Sequence, residues 1–401
     1  MKIVYSFFFL ILGAPALSQE EVLTAEEKSH STSSYNYKNR KVSFTAPDDF
    51  LHIDFHFRIQ NRLSFNMEEQ GDKEVDFQLK YLRLGLEGSI FHHKFKYKTQ
   101  IGLSPYDFIK DESGVSTILK DAYIAYEPTE RWRFLMGQAK LPGSRQQQTS
   151  SAQLQMTDRT INHSYLAIGR DIGFQIHQLN EFKERFSYNF KLAFSQGEGF
   201  RQYKKNRSGL AYTGRFELFP MGVFKDKGAY FEGDILREQT PKLMISGTYQ
   251  FNHRAQLSKG HKGAVLFQYR DLHSLFGDVV LKYKGFAFMA GYMVRHTDNP
   301  ITTSFSMFDY RYVHVGQGLD FQMSYVTKKQ YDIVIRYSYL RVDKLIHEYQ
   351  PNRSQYAVGL TKYIWGHQLK LQTEVGCEEY YYFNNTRRNN FYARFQVEFG
   401  F

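Results

Sequence analysis

The feature that most constrains the fold is a strict alternation of apolar and polar residues in short segments, which starts near residue 50 and continues along the rest of the chain. In the clearest segment, residues 94–103, every odd position except Thr99 is apolar or aromatic, and the even positions are Lys, Lys, Lys, Gln and Gly. Successive side chains of a β-strand point to opposite faces of its sheet, so this pattern gives one apolar and one polar face. An amphipathic helix needs a period of about 3.6 residues. These segments are therefore predicted to be strands.

The connections between the predicted strands alternate in length. Sixteen strands are predicted, and short turns such as 128–130 alternate with longer polar excursions such as 139–170. An outer-membrane barrel has tight turns on its periplasmic side and longer loops outside, whereas a soluble β-sandwich has no reason to keep this order. The connection 219–242 breaks the order, because it is long where a short turn is expected. Residues 264–269 are placed in a loop but look like a strand, so a count of eighteen is an alternative.

The composition indicates which face of the sheet meets lipid. The chain has 36 Phe and 30 Tyr, yet its mean hydropathy is −0.52. Beyond the N-terminus no stretch is apolar enough for a spanning helix, and only helices and closed barrels satisfy their backbone amides in hydrocarbon. An outward face rich in rings and a polar lumen reconcile these observations. We therefore predict an all-β fold, a transmembrane antiparallel β-barrel of about 16 strands in the bacterial outer membrane, wide enough to leave an aqueous channel.

The N-terminal region is predicted to be exported and processed. Residues 1–18 combine one positive charge, a short apolar run and small residues near their end, which is typical of a secretory signal peptide. Residues 19–49 are polar, show no lasting periodicity and are predicted to form a flexible periplasmic arm. The barrel is assigned to residues 50–401. The chain has a single cysteine, Cys377, which excludes an intramolecular disulfide and a cysteine-rich zinc module.

The charge balance predicts a preference for anions. The chain has 52 Lys and Arg against 41 Asp and Glu, a net charge of +11 with neutral His. Three alternate lysines on one strand face form a ladder about 14 Å long, and rings of Lys or Arg select anions in pores. A salt-bridged wall with little selectivity is the alternative. The basic residues predicted to line the lumen are Arg58, Arg62, Lys94, Lys96, Lys98, Arg133, Lys191, Arg215, Arg336, Lys370 and Arg394, and those predicted on the constriction loop 139–170 are Lys140, Arg145, Arg159 and Arg170.

Several motifs resemble one known family. Gly137–Ser144, Ser150-Ser151, Asp158-Arg159 and Gly169–Gly173 are similar to the motif region of the phosphate-selective porins O and P. Lys282–Phe286 and the terminal Phe401 resemble that family too, and the resemblance extends loosely from about Phe50 to Phe401. It implies a 16-stranded homotrimeric outer-membrane porin whose basic lumen and loop residues bind phosphate-like anions. It also implies that Phe401 ends a recognition signal for the barrel assembly machinery.

The expected function is passive diffusion of small solutes with a preference for anions. The dense lysine clusters and long arginine ladder of the best-known family members have no clear counterpart in this sequence. General anion diffusion is therefore expected, with phosphate and polyphosphate as candidate solutes. The expected partners are anionic small solutes and outer-membrane lipid. Nucleic acid fits the net charge but not the export signal.

Two other classes of protein share part of the pattern. An outer-membrane hydrolase on a barrel scaffold is one, since His163-Ser164 supplies reactive groups, but the H-E-x-x-H, G-x-S-x-G and P-loop motifs are absent from the sequence. A secreted β-rich binding or adhesion protein is the other, but it needs neither the inverted patterning nor the alternating connections. His92-His93 lacks a third ligand nearby in sequence. No catalytic residue, metal site or cofactor is therefore expected.

Overall fold

A closed antiparallel barrel of sixteen strands makes up most of the structure. The computed structural model describes residues 32–36, 41–69, 71, 73–91, 93–110, 116–200, 209–306 and 308–401. Each barrel strand pairs with its neighbours in sequence order, and the last strand pairs with the first. Closure leaves no sheet edge in hydrocarbon and pairs the backbone amides that lipid cannot satisfy. The predicted sixteen-stranded barrel is confirmed. The two further strands of the sheet form an N-terminal hairpin and do not enlarge the barrel.

The strands follow the order of the sequence, with short helices and two small hairpins in the connections. In chain order they are β1 Thr32–Asn36, β2 Lys41–Thr45, β3 Leu51–Glu68, β4 Lys73–Ile90, β5 Phe95–Gly102, β6 Ile109–Lys110, β7 Ser116–Thr117, β8 Leu119–Thr129, β9 Trp132–Lys140, β10 Arg170–Asn180, β11 Ser187–Ser195, β12 Ala211–Phe219, β13 Lys242–Leu257, β14 Val265–Tyr283, β15 Phe286–His296, β16 Ile301–Thr303, β17 Tyr310–Tyr312, β18 Gly316–Val326, β19 Tyr331–Val342, β20 Asn352–Trp365, β21 Leu369–Tyr381 and β22 Arg387–Gly400. The helices are α1 Arg145–Gln148 and α2 Ile161–Leu166, and 3₁₀ turns cover Pro47–Asp49, Ser151–Gln153, Lys225–Tyr230 and Lys344–Ile346. β6 with β7 and β16 with β17 form hairpins in the loops.

The seam of the barrel lies between β22 and β3. These strands pair from Asn390 opposite Glu68 to Gly400 opposite Arg58. Phe401 continues the ladder, because its amide donates to the Phe57 carbonyl at 3.0 Å and its carbonyl accepts from the Phe57 amide at 3.1 Å. The two rings lie 5.7 Å apart. The last residue is therefore part of the closing contact.

Short and long connections alternate around the barrel, with one exception. Tight turns such as 284–285 lie at the end where β3 begins and β22 ends, and loops such as 141–169 lie at the opposite end. By the usual arrangement of such barrels the first end is periplasmic and the second extracellular. The exception is the connection 220–241, which is long and periplasmic. Residues 264–269, predicted to lie in a loop, belong instead almost entirely to β14, so they lengthen a barrel strand and add none.

The outer surface carries an apolar belt. Met323, Ile335 and Val358 are partners in register across β18, β19 and β20, and they are 40%, 53% and 49% exposed. Their sequence neighbours Gln322 and Arg336 are buried on the inner face. A water-soluble barrel has the opposite arrangement, with apolar residues inside. The belt is therefore the surface that contacts lipid.

The interior is apolar where chain segments fold into it. One core joins Leu166 and Ile168 of the loop 141–169 with Phe276 and Leu340 of the barrel wall. A second core joins side chains of the connection 220–241 with those of β13, β14 and β15. Fully burying an aliphatic or aromatic side chain contributes roughly 1.5–3 kcal/mol. The predicted polar lumen is thus partly filled by two packed segments.

Residues 19–49 were predicted to form a flexible arm; of these, 19–31 and 37–40 lie outside the described residues, and 32–36 and 41–45 form β1 and β2. β2 pairs with the first residues of β3, and β1 pairs with β2. β3 extends beyond its pairing with β22, so β2 covers the part of its edge that β22 leaves. The predicted signal peptide, residues 1–18, lies outside the described residues. Among the residues that the structure describes, no helix is long and apolar enough to cross a bilayer.

Replacing Ile335 by Arg places a charge in the lipid-facing belt. We expect the free energy of unfolding to fall by about 2–4 kcal/mol, the cost of Arg near the bilayer midplane on a barrel surface. Urea unfolding in lipid vesicles, followed by heat-modifiable gel migration, measures this change. Phe305→Arg is the control, because Phe305 is fully exposed between β16 and β17. Equal stability of I335R and the wild type would contradict a lipid-facing belt.

Candidate functional site

Residues 141–169, here called L3, fold into the barrel. L3 leaves β9 after Lys140 and returns to β10 at Arg170. The Thr160 side chain caps α2 by accepting from the His163 amide at 3.2 Å. Most residues of L3 are buried. L3 therefore occupies the lumen, at the place where the sequence predicts a constriction loop.

Three inward carboxylates of the wall bind amides and hydroxyls of L3. Asp278 accepts from the Arg145 amide at 2.8 Å. Glu374 accepts from both the amide and the hydroxyl of Thr157, at 2.8 and 2.6 Å. Asp320 accepts from the N-cap hydroxyl of α2 at 3.0 Å. Hydrogen bonds to charged groups contribute about 1.5–3 kcal/mol each, so these carboxylates fix L3 against one side of the barrel.

Cations of the same wall bind carbonyl oxygens of L3. Lys370 Nζ donates to the carbonyls of Ala152 and Leu154, at 3.0 and 2.8 Å. Arg295 Nη2 donates to the Leu166 carbonyl at 2.7 Å. A buried carbonyl without a partner costs about 1–3 kcal/mol. The wall cations therefore make it possible to bury an irregular loop in the lumen.

Several cations predicted to line an anion path stabilise this packing instead. Arg215 pairs with Glu217 at 2.7 Å, and Lys191 pairs with the same carboxylate at 2.9 Å. Arg58 pairs with Glu398 at 2.7 Å. The inward orientation was predicted, but the charges of these residues are used in buried ion pairs and loop contacts. The residues with this role are Arg58, Lys191, Arg215, Arg336 and Lys370.

The carboxylate of Asp158 in L3 lies close to three further cations. It lies 2.6 Å from Arg62 and 3.4 Å from both Lys80 and Arg394. Burial raises the pKa of the Asp158 carboxyl, but Arg62 and Lys80 lower it more, and the pKa lies well below its ordinary value. The carboxylate is therefore charged at neutral pH. Arg62 and Arg394, both predicted lumen residues, belong to this cluster.

The part of the lumen that L3 leaves open has more cations than carboxylates in its lining. A cavity of about 360 Å³ lies between L3 and the wall formed by β4, β5, β8, β9 and β10. Of the described residues, six Lys and Arg side chains, His177 and one carboxylate, Asp121, line it together with Tyr123 and Tyr230. We call this cavity the basic passage. Its cations are Arg83, Lys98, Arg133, Lys140, Arg159 and Arg170.

Two cations of the basic passage make no ion pair with any described carboxylate. Lys140 Nζ donates to the Thr149 carbonyl at 3.2 Å. Arg159 donates to the carbonyls of Gln146 and Thr149, at 3.0 and 2.8 Å. Burial lowers the pKa of Arg159 to about 10, so its guanidinium remains charged at neutral pH. Arg159 therefore gives the passage a positive charge that is not paired with a carboxylate of the described residues.

The other four cations of the basic passage have carboxylate partners. Arg170 pairs with Asp121 at 2.8 Å and Lys98 with Glu87 at 2.7 Å. All four of these cations nevertheless line the cavity. The remaining pairs are Arg83 with Asp107 and Arg133 with Glu127.

Five of the six cations were predicted from the sequence, and Arg83 was missed. The register of β3 with β4 shifts between Gln60 and Asn61. Below the shift Arg58 lies opposite Arg83, and above it Arg62 lies opposite Gln78. An extra residue in β4 therefore moves the inward positions of that strand from even to odd numbers. Alternation alone cannot locate such a bulge.

The lysine ladder has one member in the basic passage. Lys98 lines the cavity. Lys94 lies in the exposed turn before β5, and Lys96 lies at the start of that strand. The ladder therefore runs from the periplasmic rim towards the passage, with its three charges in different surroundings.

A cluster of possible metal ligands lies near the periplasmic end, although no metal site was predicted. Asp54, His56 and Glu87 offer ligand atoms within 4.8 Å of one another. Glu87 already pairs with Lys98 at 2.7 Å and lies 2.9 Å from His56. The lysine ammonium compensates the carboxylate, so an ion-pair cluster accounts for this arrangement.

Comparison with known proteins connects this geometry to one family. Residues 52–218 match the family model of phosphate-selective porin O and P. The resemblance indicated by the sequence motifs is confirmed over this part of the chain, and it places the lipid-belted barrel in the outer membrane. A search among curated proteins gives no match.

Solved structures share the fold at low sequence identity. The outer membrane channel DcaP of Acinetobacter baumannii is 12% identical with a TM-score of 0.56, and the match covers 88% of this chain and 98% of that one. OprB of Pseudomonas putida is 9% identical with a TM-score of 0.56, covering 87% and 94%. The anion-selective porin from Comamonas acidovorans is 8% identical with a TM-score of 0.52, covering 87% and 99%. These similarities support the barrel fold.

Replacing Asp158 by Asn removes the counter-charge of Arg62, Lys80 and Arg394. We expect the free energy of unfolding to fall by about 1–2 kcal/mol. This is less than the cost of breaking a fully buried ion pair, because the Asp158 side chain is 32% exposed. The folded-state pKa is lowered, so the contribution is present above the ordinary pKa and is lost as the pH falls below it.

Urea unfolding of D158N and the wild type at several pH values measures this effect. The difference should be constant between pH 5 and 8 and should shrink below about pH 4. Asp298→Asn is the control, since that side chain is 96% exposed. A D158N variant as stable as the wild type at pH 7 would show that the cluster does not hold L3.

Proposed function

We propose that this barrel, whose residues 52–218 match the phosphate-selective porin O and P family, is a passive channel that lets small anions cross the outer membrane in preference to cations. The family match and the barrel fold support an outer-membrane channel. The anion preference is supported by one observation: six Lys and Arg side chains and one carboxylate line the opening beside L3.

The charged residues of the lumen lie in two regions. The inward carboxylates Asp278, Asp320 and Glu374 bind L3 and lie beneath it. The opposite side, where the basic passage runs, keeps an excess of cations. A hydrogen-bonded and partly salt-bridged wall holds the loop, and the basic opening beside it supports the proposed anion preference.

The excess charge is large enough to influence permeation. A unit charge 4 Å from an ion contributes about 1 kcal/mol in bulk water and more beside low-dielectric protein walls. Two cations without carboxylate partners, Lys140 and Arg159, therefore favour an anion over a cation by a measurable factor. Arginine presents a planar set of donors that matches oxyanions, which supports phosphate and polyphosphate as candidate solutes.

Assembly in the membrane is part of the same proposal. The family resemblance implies a homotrimer and recognition of Phe401 by the barrel assembly machinery. The pairing of Phe401 with Phe57 at the seam supports a role for this residue in closing the barrel. Substituting it should therefore affect folding more than selectivity.

A hydrolase finds little support in the geometry. The Ser164 hydroxyl bonds to the Thr160 carbonyl at 3.4 Å, and His163 is buried on the same short helix. The neighbouring His and Ser identified in the sequence thus do not form a nucleophile and its base. The family match also favours a channel over a secreted adhesion protein.

Reversal potentials across planar bilayers under a potassium chloride gradient test the anion preference. The wild type should favour chloride. In a Lys140→Gln, Arg159→Gln double variant, the chloride-to-potassium permeability ratio should fall roughly two- to fivefold per charge removed, and less at high salt. Lys328→Gln with Lys329→Gln is the matched control, because these exposed turn lysines remove the same charge outside the lumen. A cation-selective wild type, or equal effects of both double variants, would refute the proposal.

The lysine ladder provides a second test. Neutralising Lys94, Lys96 and Lys98 together should shift selectivity towards cations, with Lys98→Gln giving most of the effect because Lys98 lines the passage. Lys94→Gln alone should have a small effect, since its charge is exposed at the rim. Reversal potentials of the three single variants and the triple variant measure these contributions. An effect of Lys94→Gln as large as that of Lys98→Gln would contradict the assignment of the passage.

A further inference from the structure

The periplasmic connection 220–241, here called T4, folds into the lumen from the side opposite to L3. It is the one connection whose length departs from the barrel pattern, and its residues Gly228, Glu232 and Asp234 lie at or near the inner wall. Glu232 and Asp234 are almost completely buried. A solvent-exposed periplasmic turn would not bury two carboxylates. T4 is therefore part of the packed interior.

A single wall lysine holds the middle of T4. Lys282 Nζ donates to the carbonyls of Gly228, Phe231 and Gly233, at 2.7, 2.8 and 2.5 Å. All three N–H groups of the ammonium therefore have a carbonyl acceptor in T4. At the base of T4, Asp234 accepts from the Gly285 amide at 2.6 Å. These bonds fix T4 against β14 and the adjoining tight turn.

T4 contacts L3 directly through Glu232. The Glu232 amide donates to the Gln153 carbonyl at 3.0 Å. Its carboxylate accepts from the Gln155 amide at 3.0 Å and from Arg145 at 3.3 Å. Arg145, predicted as a constriction residue, thus joins the two inserted segments. L3 and T4 meet in the lumen as one structure.

Gly233 makes the close approach of the two segments possible. Its φ of +70° is a conformation that residues with a Cβ rarely adopt. A Cβ at this position would lie 2.7 Å from Gln155 Nε2 and 3.2 Å from Asp332 Oδ2. The contact between T4, L3 and β19 therefore depends on the absence of a side chain here.

Tyr230 connects T4 to the basic passage. Its hydroxyl donates to Glu217 at 2.5 Å and accepts from Lys191 at 3.1 Å. Tyr230 is also part of the lining of the passage. Tyr230 is thus the T4 residue that a permeating solute would meet.

We propose that T4 is a second constriction element, which together with L3 sets the size limit of the channel, and that Tyr230 is a specificity-determining residue at its edge. This inference rests on the proposed channel function. L3 alone would leave the periplasmic side of the lumen wide, because a sixteen-stranded barrel encloses far more space than one loop fills. T4 fills the part beneath L3, so that solutes must pass along the basic side.

Excising T4 tests this proposal. Replacing residues 220–241 by a short Asn-Gly turn preserves the pairing of β12 with β13, which extends to Leu218 opposite Ile245. Heat-modifiable migration verifies that the variant folds. Single-channel conductance should rise about twofold or more, because a wider bore carries more ions. Neutral polyethylene glycols that the wild type excludes should enter the variant.

Tyr230 is tested by two point variants, which also keep the proposal falsifiable if the excised chain fails to fold. Tyr230→Ala removes the ring and should raise the polymer size limit, whereas Tyr230→Phe keeps the ring and should leave the limit unchanged. Tyr310→Ala is the control, since that ring is exposed in an extracellular loop. A folded excision variant with wild-type conductance and polymer limit overturns the role of T4. Identical limits for Tyr230→Ala and the wild type overturn the role of Tyr230.

The polymer measurement separates this inference from the proposed function. Neutral polymers report the width of the channel regardless of which ions it prefers. A wild type that favours chloride while T4 excision has no effect refutes only the second constriction. A wild type without ion preference whose size limit depends on T4 refutes only the anion channel.

Discussion

The charge of the open passage depends on hydrogen bonds between the barrel wall and L3. Asp278, Asp320 and Glu374 would otherwise face water in the lumen and attract cations. In the structure they accept hydrogen bonds from amides and hydroxyls of the loop, at distances between 2.6 and 3.0 Å. Removing these carboxylates from water is tolerated because each one accepts hydrogen bonds. The same contacts that hold the loop therefore remove acidic groups from the open part of the lumen.

Backbone pairing and side-chain contacts each determine a different part of the shape of the channel. Pairing of the strands provides a closed wall whose outer belt suits lipid, and this wall alone would enclose a wide, unselective hole. Two inserted segments narrow it from opposite ends and meet at Glu232. Wall cations such as Lys282 and Lys370 bind the carbonyls of these segments. Many of the basic residues in this chain thus bind the inserted segments, and a smaller set lines the basic passage.

The barrel was predictable because strand alternation is a local property. The period of two, the short turns and the aromatic outer face each appear in a few consecutive residues, so sixteen strands followed from the sequence. The inward orientation of Lys98 and Arg133 followed in the same way. The inward orientation of Arg83 could not be predicted, because the face of the sheet on which it lies depends on a register shift between β3 and β4 that no local pattern reveals.

The sequence could not predict which inward cations bind the loop and which line the passage. Arg215 and Arg133 are both inward arginines on strands, and only the position of L3 shows that one is buried in ion pairs and the other lines a cavity. The packing of residues 220–241 inside the lumen could not be predicted from the sequence either. The unusual length of this connection was visible, but its fold depends on contacts with Lys282, Gln153 and Gln155, which are distant in sequence.

Direct location of ions in the lumen tests the central claim most sharply. Anomalous diffraction from crystals of the barrel soaked separately in bromide and in rubidium would show which ion occupies the opening beside L3. The account predicts bromide near Lys140 and Arg159 and no rubidium there. Rubidium at that position, or bromide confined to the outer loops, would contradict it.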